Sequence, residues 1–380
     1  MRLEDICTVF TDGDWIESKD QSDEGIRLVQ TGNIGKGIYL EKEARAKYIS
    51  EDTFEKLKCT EIFPGDILVS RLPEPVGRAC IIPDKEERMI TAVDCTICRP
   101  DETVISKEYL CYFMRSNAYY TRLLGSVTGT TRKRISRKNL GNVELDVPSR
   151  EKQNEVVEQL DHLVNVIDSK TRELQLLDDL IQARFVEMFG DPVQNTKGWN
   201  IDTCKNLTSK IGSGATPKGG RESYGTEGIS LIRSMNVYNN RFEYKDLAYI
   251  TDEQADKLSN VTIEENDVLL NITGASVARC CAVPKELIPA RVNQHVAIVR
   301  CKDRLLPEFL CSMFTEDSYQ RLLWSIATSG GATREAITKQ QIEDLVLIVP
   351  PIELQQQFVD FCKQVNKLKL ATSPQTTFAA

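Results

Sequence analysis

The chain has 380 residues, 41% hydrophobic and 27% charged, enough for two or three domains with cores of their own. No apolar run reaches membrane-spanning length and the first five residues carry no signal-peptide core, so a cytoplasmic location is expected. The formal charge of −8 argues against a wholly basic nucleic-acid binder. Its distribution is uneven, with nine acids and four bases between residues 151 and 189, and five bases and no acid in 129–138. A chain acidic in sum can still present basic faces to DNA.

Taken in order, residues 1–149 alternate short β-like runs with turn signals. The runs 26–30, 67–70, 79–82 and 91–98 read as strands, and 107–124 has helical periodicity through Leu110, Phe113, Met114 and Leu123. Twelve cysteines suit buried, reduced thiols. Cys95 and Cys98 form one C-x-x-C inside a strand-like run, and the histidines are His162 and His295 alone, so no metal site is expected.

Residues 150–189 carry a heptad pattern. Leu160, Ile167, Leu174, Ile181 and Met188 recur every seventh residue, with Val156, Leu163 and Leu177 between them and Lys170 and Arg184 as polar interruptions. One helix of about 58 Å is expected, at 1.5 Å per residue. Gly190 and Pro192 stop it, and 190–198 reads as a linker.

After the linker the first half returns. A shift of 201 pairs Tyr48-Ile-Ser-Glu-Asp52 with Tyr249-Ile-Thr-Asp-Glu253, and Val76-Gly-Arg-Ala-Cys80 with Val277-Ala-Arg-Cys-Cys281. One further residue pairs Gly129-Thr-Thr-Arg132 with Gly331-Ala-Thr-Arg334, and Val147-Pro148 with Val349-Pro350. A collinear repeat of that length marks a duplication. The expected architecture is α+β: like domains at 1–149 and 199–349, each followed by a helix, at 150–189 and 350–370. The second helix has its own seam of Leu354, Phe358, Phe361, Val365 and Leu368. The two helices are expected to pack antiparallel about a pseudo-two-fold, as isologous surfaces do. Because the distal helix has only about 20 residues, half of the central seam, Leu174 to Met188, is expected to need cover. That cover would come from a partner subunit, the second domain or another copy of the chain. Residues 371–380 read as a disordered tail.

Signatures of catalysis are absent. Gly212–Gly220 is glycine-rich but lacks a phosphate-loop ending, and neither a hydrolase elbow nor a zinc-protease motif occurs. The basic loops are the candidate site: Arg132, Lys133, Arg134, Arg137 and Lys138 in the first half, Arg334 and Lys339 in the second. Lys218, Arg221 and Arg233 add to the latter. Lys and Arg supply salt-dependent attraction to phosphates, and arginine also reads guanine bidentately. Arg78 and Arg279 align across the repeat, and for these a structural ion pair and DNA contact weigh equally. Thr131 and Thr333 read as turn caps.

Several stretches together resemble the target-recognition domains of type I restriction–modification specificity subunits. They are Ser213-Gly-Ala-Thr-Pro-Lys218, Gly228-Ile-Ser-Leu-Ile-Arg-Ser234, Asn293-Gln-His-Val-Ala-Ile-Val-Arg300, the block 331–338, and Ala183 to Pro192 at the end of the central helix. The resemblance covers nearly the whole chain. It implies a non-catalytic subunit that recognises a bipartite double-stranded DNA sequence. It also implies two methyltransferase (M) subunits, which would carry S-adenosylmethionine and methylate adenines, and restriction (R) subunits using ATP and Mg. This chain would hold none of those cofactors. The alternatives are the recognition part of another restriction–methylation enzyme, or a coiled-coil scaffold that binds protein.

Overall fold

A computed structural model describes residues 1–129, 133–329 and 335–372; the side chains of Arg221 and Thr372 are also outside the described residues. The chain divides into two units, Met1–Ile167 and Asp168–Ala380.

In unit 1 the strands are β1 (Cys7–Asp12), β2 (Ile26–Val29), β3 (Tyr48–Ile49), β4 (Glu61–Ile62), β5 (Ile67–Ser70), β6 (Ala79–Ile81), β7 (Met89–Thr91) and β8 (Cys95–Pro100). They form two sheets of order β1-β8-β5-β6 and β3-β2-β7-β4. The first is antiparallel throughout, and the second contains a parallel β2/β7 pair. β8 is buried on both faces. Cys95 packs in one apolar cluster and Cys98 in another, and burial pushes the Cys95 thiol up to about 12. The helices are α1 (Glu51–Leu57), α2 (Lys107–Phe113), α3 (Asn117–Leu124) and α4 (Arg137–Gly141). The periodic run 107–124 is therefore two helices. Ser116 caps the second, its hydroxyl accepting from the Tyr119 N–H at 3.2 Å.

Unit 2 rebuilds this plan. It contains β9 (Ile201–Thr203), α6 (Cys204–Leu207), β10 (Thr208–Ser213), β11 (Ile229–Ile232), β12 (Val237–Tyr238), β13 (Arg241–Phe242) and β14 (Ala248–Ile250). Then come α7 (Asp252–Asp256), β15 (Asp267–Asn271), β16 (Cys280–Ala282), β17 (Ala290–Val292), β18 (Val296–Cys301), α8 (Pro307–Thr315), α9 (Asp317–Thr328), α10 (Lys339–Glu343) and β19 (Val346–Ile348). The order β10-β18-β15-β16 repeats β1-β8-β5-β6, and the β11/β17 pair is parallel like β2/β7. Even the irregularity is shared: register slips between Cys7 and Val9 in one unit, and between Thr208 and Lys210 in the other.

Buried polar clamps repeat as well. Arg99 grips Asp66 at 2.7 Å and Arg300 grips Asp267 at 2.7 Å. Gln153 accepts from the Ser106 N–H and donates to the Val104 and Pro148 carbonyls. Gln355 does the same with Leu306, Arg304 and Pro350. Each glutamine fastens the first turn of a long helix to its own domain, because a buried amide without partners is costly.

Those helices are α5 (Arg150–Phe189) and α11 (Ile352–Thr372). Within unit 2 they run antiparallel. The Phe358 ring meets Phe185 at 5.5 Å and Phe189 at 5.6 Å, Phe361 lies under the Arg184 guanidinium at 5.7 Å, and Lys369 pairs with Asp178. Phe309 of α8 stacks on Phe185 at 5.7 Å and closes an aromatic box buried at its centre. Val359 and Val365 of α11 are buried, whereas Leu368 is 57% exposed. At Phe189 the helix ends on Gly190, whose φ of +74° favours glycine.

This pairing corrects one expectation in part: Ile181 and Met188 pack on the core of the second domain, one of the covers expected, but α11 itself supplies a partner as well. The half of the seam from Leu174 to Met188 is the covered one: Leu174, Leu177, Ile181 and Met188 are all half-buried. An antiparallel partner starts beside the C-terminal end of α5, so a 21-residue α11 runs out near Leu174. In the first half of α5, Val156 and Leu160 are half-buried, while Leu163 is 55%, Val166 44% and Ile167 62% exposed. Residues 373–380, read as a tail, lie outside the described residues.

Candidate nucleic-acid interface

In each unit one end of the antiparallel sheet gathers the loops that carry the candidate residues. In unit 1 the loops after β1 and β5 and before β6 and β8 meet the segment between α3 and α4 that carries the basic residues. Gly13 makes the approach possible: its N–H donates to the Cys95 carbonyl at 2.9 Å, and an added Cβ would lie 2.3 Å from the Thr91 carbonyl oxygen. Gly214 is the counterpart, with Val292 O at 1.8 Å from that point.

The basic loop is closed by paired hydrogen bonds between Thr128 and Arg134 and tied to this end by buried Ile135, whose N–H donates to the Arg71 carbonyl. Arg134 bridges to Asp94 at 2.9 Å, while Arg137 approaches Asp12 at 3.8 Å and Thr11 Oγ1 at 3.5 Å. Lys133 and Lys138 are exposed. The sequence did not single out Arg71, which is buried, lies 3.3 Å from Asp12 and has an unpartnered Nε. Burial pulls its guanidinium below the usual value, opposed by Asp12. The named side chains are five cations (Arg71, Lys133, Arg134, Arg137, Lys138) beside two carboxylates (Asp12, Asp94). Arg132 lies outside the described residues.

Arg78 does not belong to the interface. It is buried, and its guanidinium donates to four carbonyls: Ile34 at 2.6 Å, Thr31 at 2.7 Å, Leu72 at 2.9 Å and Pro75 at 3.3 Å. With its donors spent on the chain's own loops it makes no ion pair among the described residues, and its burial argues against the DNA contact weighed from the sequence. In unit 2 the same loop is held by Asn271, whose Nδ2 donates to Ser234 O at 2.9 Å and Val237 O at 3.4 Å. Arg279 is freed to lie over the Tyr238 ring at 4.7 Å, with Arg241 over the same ring at 5.0 Å.

At the edge of unit 2 the described candidates are placed differently. Lys218 is exposed, and Lys339 opens α10 and lies 3.5 Å from Glu343. Arg233 is half-buried over Tyr224 and donates to the Asp246 carbonyl. Arg334 and the Arg221 side chain lie outside the described residues. Ile337 anchors on the Ile272 carbonyl at 2.9 Å, as Ile135 does on Arg71. Between these loops lie four polar side chains that the sequence reading did not assemble: Thr216, Thr273, Gln294 and His295. Thr216 and the pair Gln294–His295 fall in two of the family-like stretches, but no sequence signal joins them to each other or to Thr273.

The family model for the type I restriction modification DNA specificity domain matches this chain twice, over residues 1–178 and 197–376. The chain belongs to that family. Similar proteins include one from Methanocaldococcus jannaschii named as the MjaX type I restriction enzyme specificity subunit, 21% identical over 96% of this chain and 86% of its own length. The EcoKI specificity subunit of Escherichia coli is 18% identical over 71% of this chain and 61% of its own length. Among solved structures, the type I restriction–modification S subunit from M. genitalium gives a TM-score of 0.55 at 11% identity, covering 98% of this chain and 90% of that one. A chain solved in work on assembly and conformational transition of the type I R-M system gives 0.56 at 18% identity, with 98% and 92% covered. Those two likenesses establish a shared fold. As a specificity subunit, the chain has a DNA-specificity role, and the two named relatives are specificity subunits. No described helix is long and apolar enough to cross a membrane.

Proposed function

We propose that this specificity subunit reads a split double-stranded DNA sequence, one short half-site per unit, and docks two methyltransferase (M) subunits. The observation that carries the reading is the repetition of one sheet end: the same strand order, glycine approach and isoleucine anchor, dressed with different side chains. Shared geometry with divergent side chains suits two readers of unlike half-sites. The 40-residue α5, about 60 Å long, begins in one unit and ends in the other, as a link between two half-site readers would. Base methylation belongs to the M subunits with their S-adenosylmethionine, and cleavage to restriction (R) subunits with ATP and Mg. The chain itself contributes recognition, without a cofactor, in the cytoplasm. Lys133, Arg134, Arg137, Lys138, Lys218, Arg233, Arg279 and Lys339, with Arg132, Arg221 and Arg334, contact phosphates or base edges in this reading.

Lys133→Glu with Lys138→Glu is the test, since both side chains are exposed. Duplex affinity of the methyltransferase complex should fall, and its salt slope should flatten by about 0.9 for each phosphate no longer neutralised. A protein-binding scaffold would instead keep both its partners and any duplex affinity unchanged, which would overturn the proposal.

A further inference from the structure

The four polar side chains at the edge of unit 2 form one hydrogen-bonded run. Thr216 Oγ1 donates to Gln294 Oε1, Gln294 Nε2 lies 3.2 Å from His295 Nε2, and His295 Nδ1 lies 2.6 Å from Thr273 Oγ1. The members come from three loops: Thr216 after β10, Gln294 and His295 between β17 and β18, and Thr273 after β15. The middle turn is fixed from beneath. The His295 N–H donates to the side chain of buried Asn293 at 3.0 Å, and the His295 carbonyl accepts from Ile272 at 3.0 Å.

A single proton arrangement satisfies the run as placed. The Thr216 hydroxyl donates to the amide oxygen, the amide N–H donates to imidazole Nε2, and imidazole Nδ1–H donates to Thr273. Gln294 is exposed, so its amide retains one oxygen lone-pair site and one N–H directed to neither neighbour. That acceptor–donor pair complements the N6 amino group and N7 of adenine in the major groove. Guanine offers two acceptors there, and an amide whose other N–H is committed to His295 cannot satisfy both. In unit 1, the positions 201 residues earlier are Trp15, Leu72, Val93 and Asp94, and Asp94 instead pairs with Arg134. The run is therefore a property of unit 2 within a shared scaffold.

We propose that Gln294 reads an adenine in the half-site bound by unit 2, with Thr216 and His295 as positioning residues that hold its amide in one orientation. This rests on the DNA-reading function proposed above. The test uses the full chain in complex with its methyltransferase subunits and selects bound duplexes from a library randomised across the site. The wild type, Gln294→Ala, Gln294→Glu and His295→Ala are compared. In Gln294→Ala, preference for one adenine over guanine should fall roughly five- to 150-fold, the worth of one bidentate pair, with the other half-site unchanged. His295→Ala should weaken the same position by a smaller factor without lowering overall affinity. Gln294→Glu, near in shape, should turn the preference toward cytosine and keeps the test open if the alanine variant does not fold. A wild type that selects no split site overturns the proposed function and this inference with it. A split site left unaltered by Gln294→Ala and Gln294→Glu, or weakened evenly at every position, overturns this inference alone.

Discussion

Truncating Phe358 tests how the two long helices are held. Its ring is fully buried and meets Phe185 and Phe189 edge-on, at 5.5 and 5.6 Å. Phe358→Ala removes a core aromatic, which costs about 3–5 kcal/mol, with each edge-to-face pair accounting for about 0.5–1.5. In a unit of this size 1 kcal/mol moves Tm by roughly 2–4 °C, so a fall of about 6–20 °C is expected. Leu163 is the internal control. It occupies a seam position of the same helix but is 55% exposed, and Leu163→Ala should change stability by about 0.5 kcal/mol or less. Urea unfolding followed by circular dichroism and by tryptophan fluorescence is the assay. Trp199 is a reporter, because its indole N–H donates to the Phe189 carbonyl at 3.0 Å and its ring lies 6.3 Å from Phe189. A Phe358→Ala cost below about 1 kcal/mol, or a Leu163→Ala cost equal to it, would refute the assignment of α11 to the C-terminal half of α5.

Arg78→Met should destabilise unit 1 by about 3 kcal/mol in urea unfolding, since buried carbonyls lose a charged donor. Arg78→Lys should recover little of this, because one ammonium cannot reproduce the fork; an unchanged midpoint would show that the loops hold without the clamp. Gln153→Ala and Gln355→Ala should each cost roughly 2–4 kcal/mol, each in its own unit, because each leaves one N–H and two carbonyls without their amide partner. A large cost at one and none at the other would contradict the equivalence of the two helix starts.

Much of the fold is written in local pattern. The heptads of α5 and α11, the glycine at Gly190 and the 201-residue repeat are periodic or positional signals, and the helix and paired sheets follow them. What pattern could not give was three-dimensional. An apolar stripe looks the same covered or bare, so the covered half of α5 depended on where an antiparallel partner begins. A basic residue beside a strand looks the same whether it faces solvent or, like Arg78, is spent on carbonyls. The step from the Ser70 position to Asn271 changes which side chain clamps the loop, and so sets Arg279 free. The run of Thr216, Gln294, His295 and Thr273 joins residues up to 79 positions apart, and no spacing rule reaches that far. Arg71 is only seven residues from Arg78, yet it lies at the interface edge.

In the proposed function, the two copies of one reading domain each take a separate piece of DNA. Mapping methylated adenines genome-wide, with the chain co-expressed beside its methyltransferase subunits, tests it most directly. The expected result is a motif with two defined ends and an undefined middle. A continuous motif, or methylation without any motif, would contradict it.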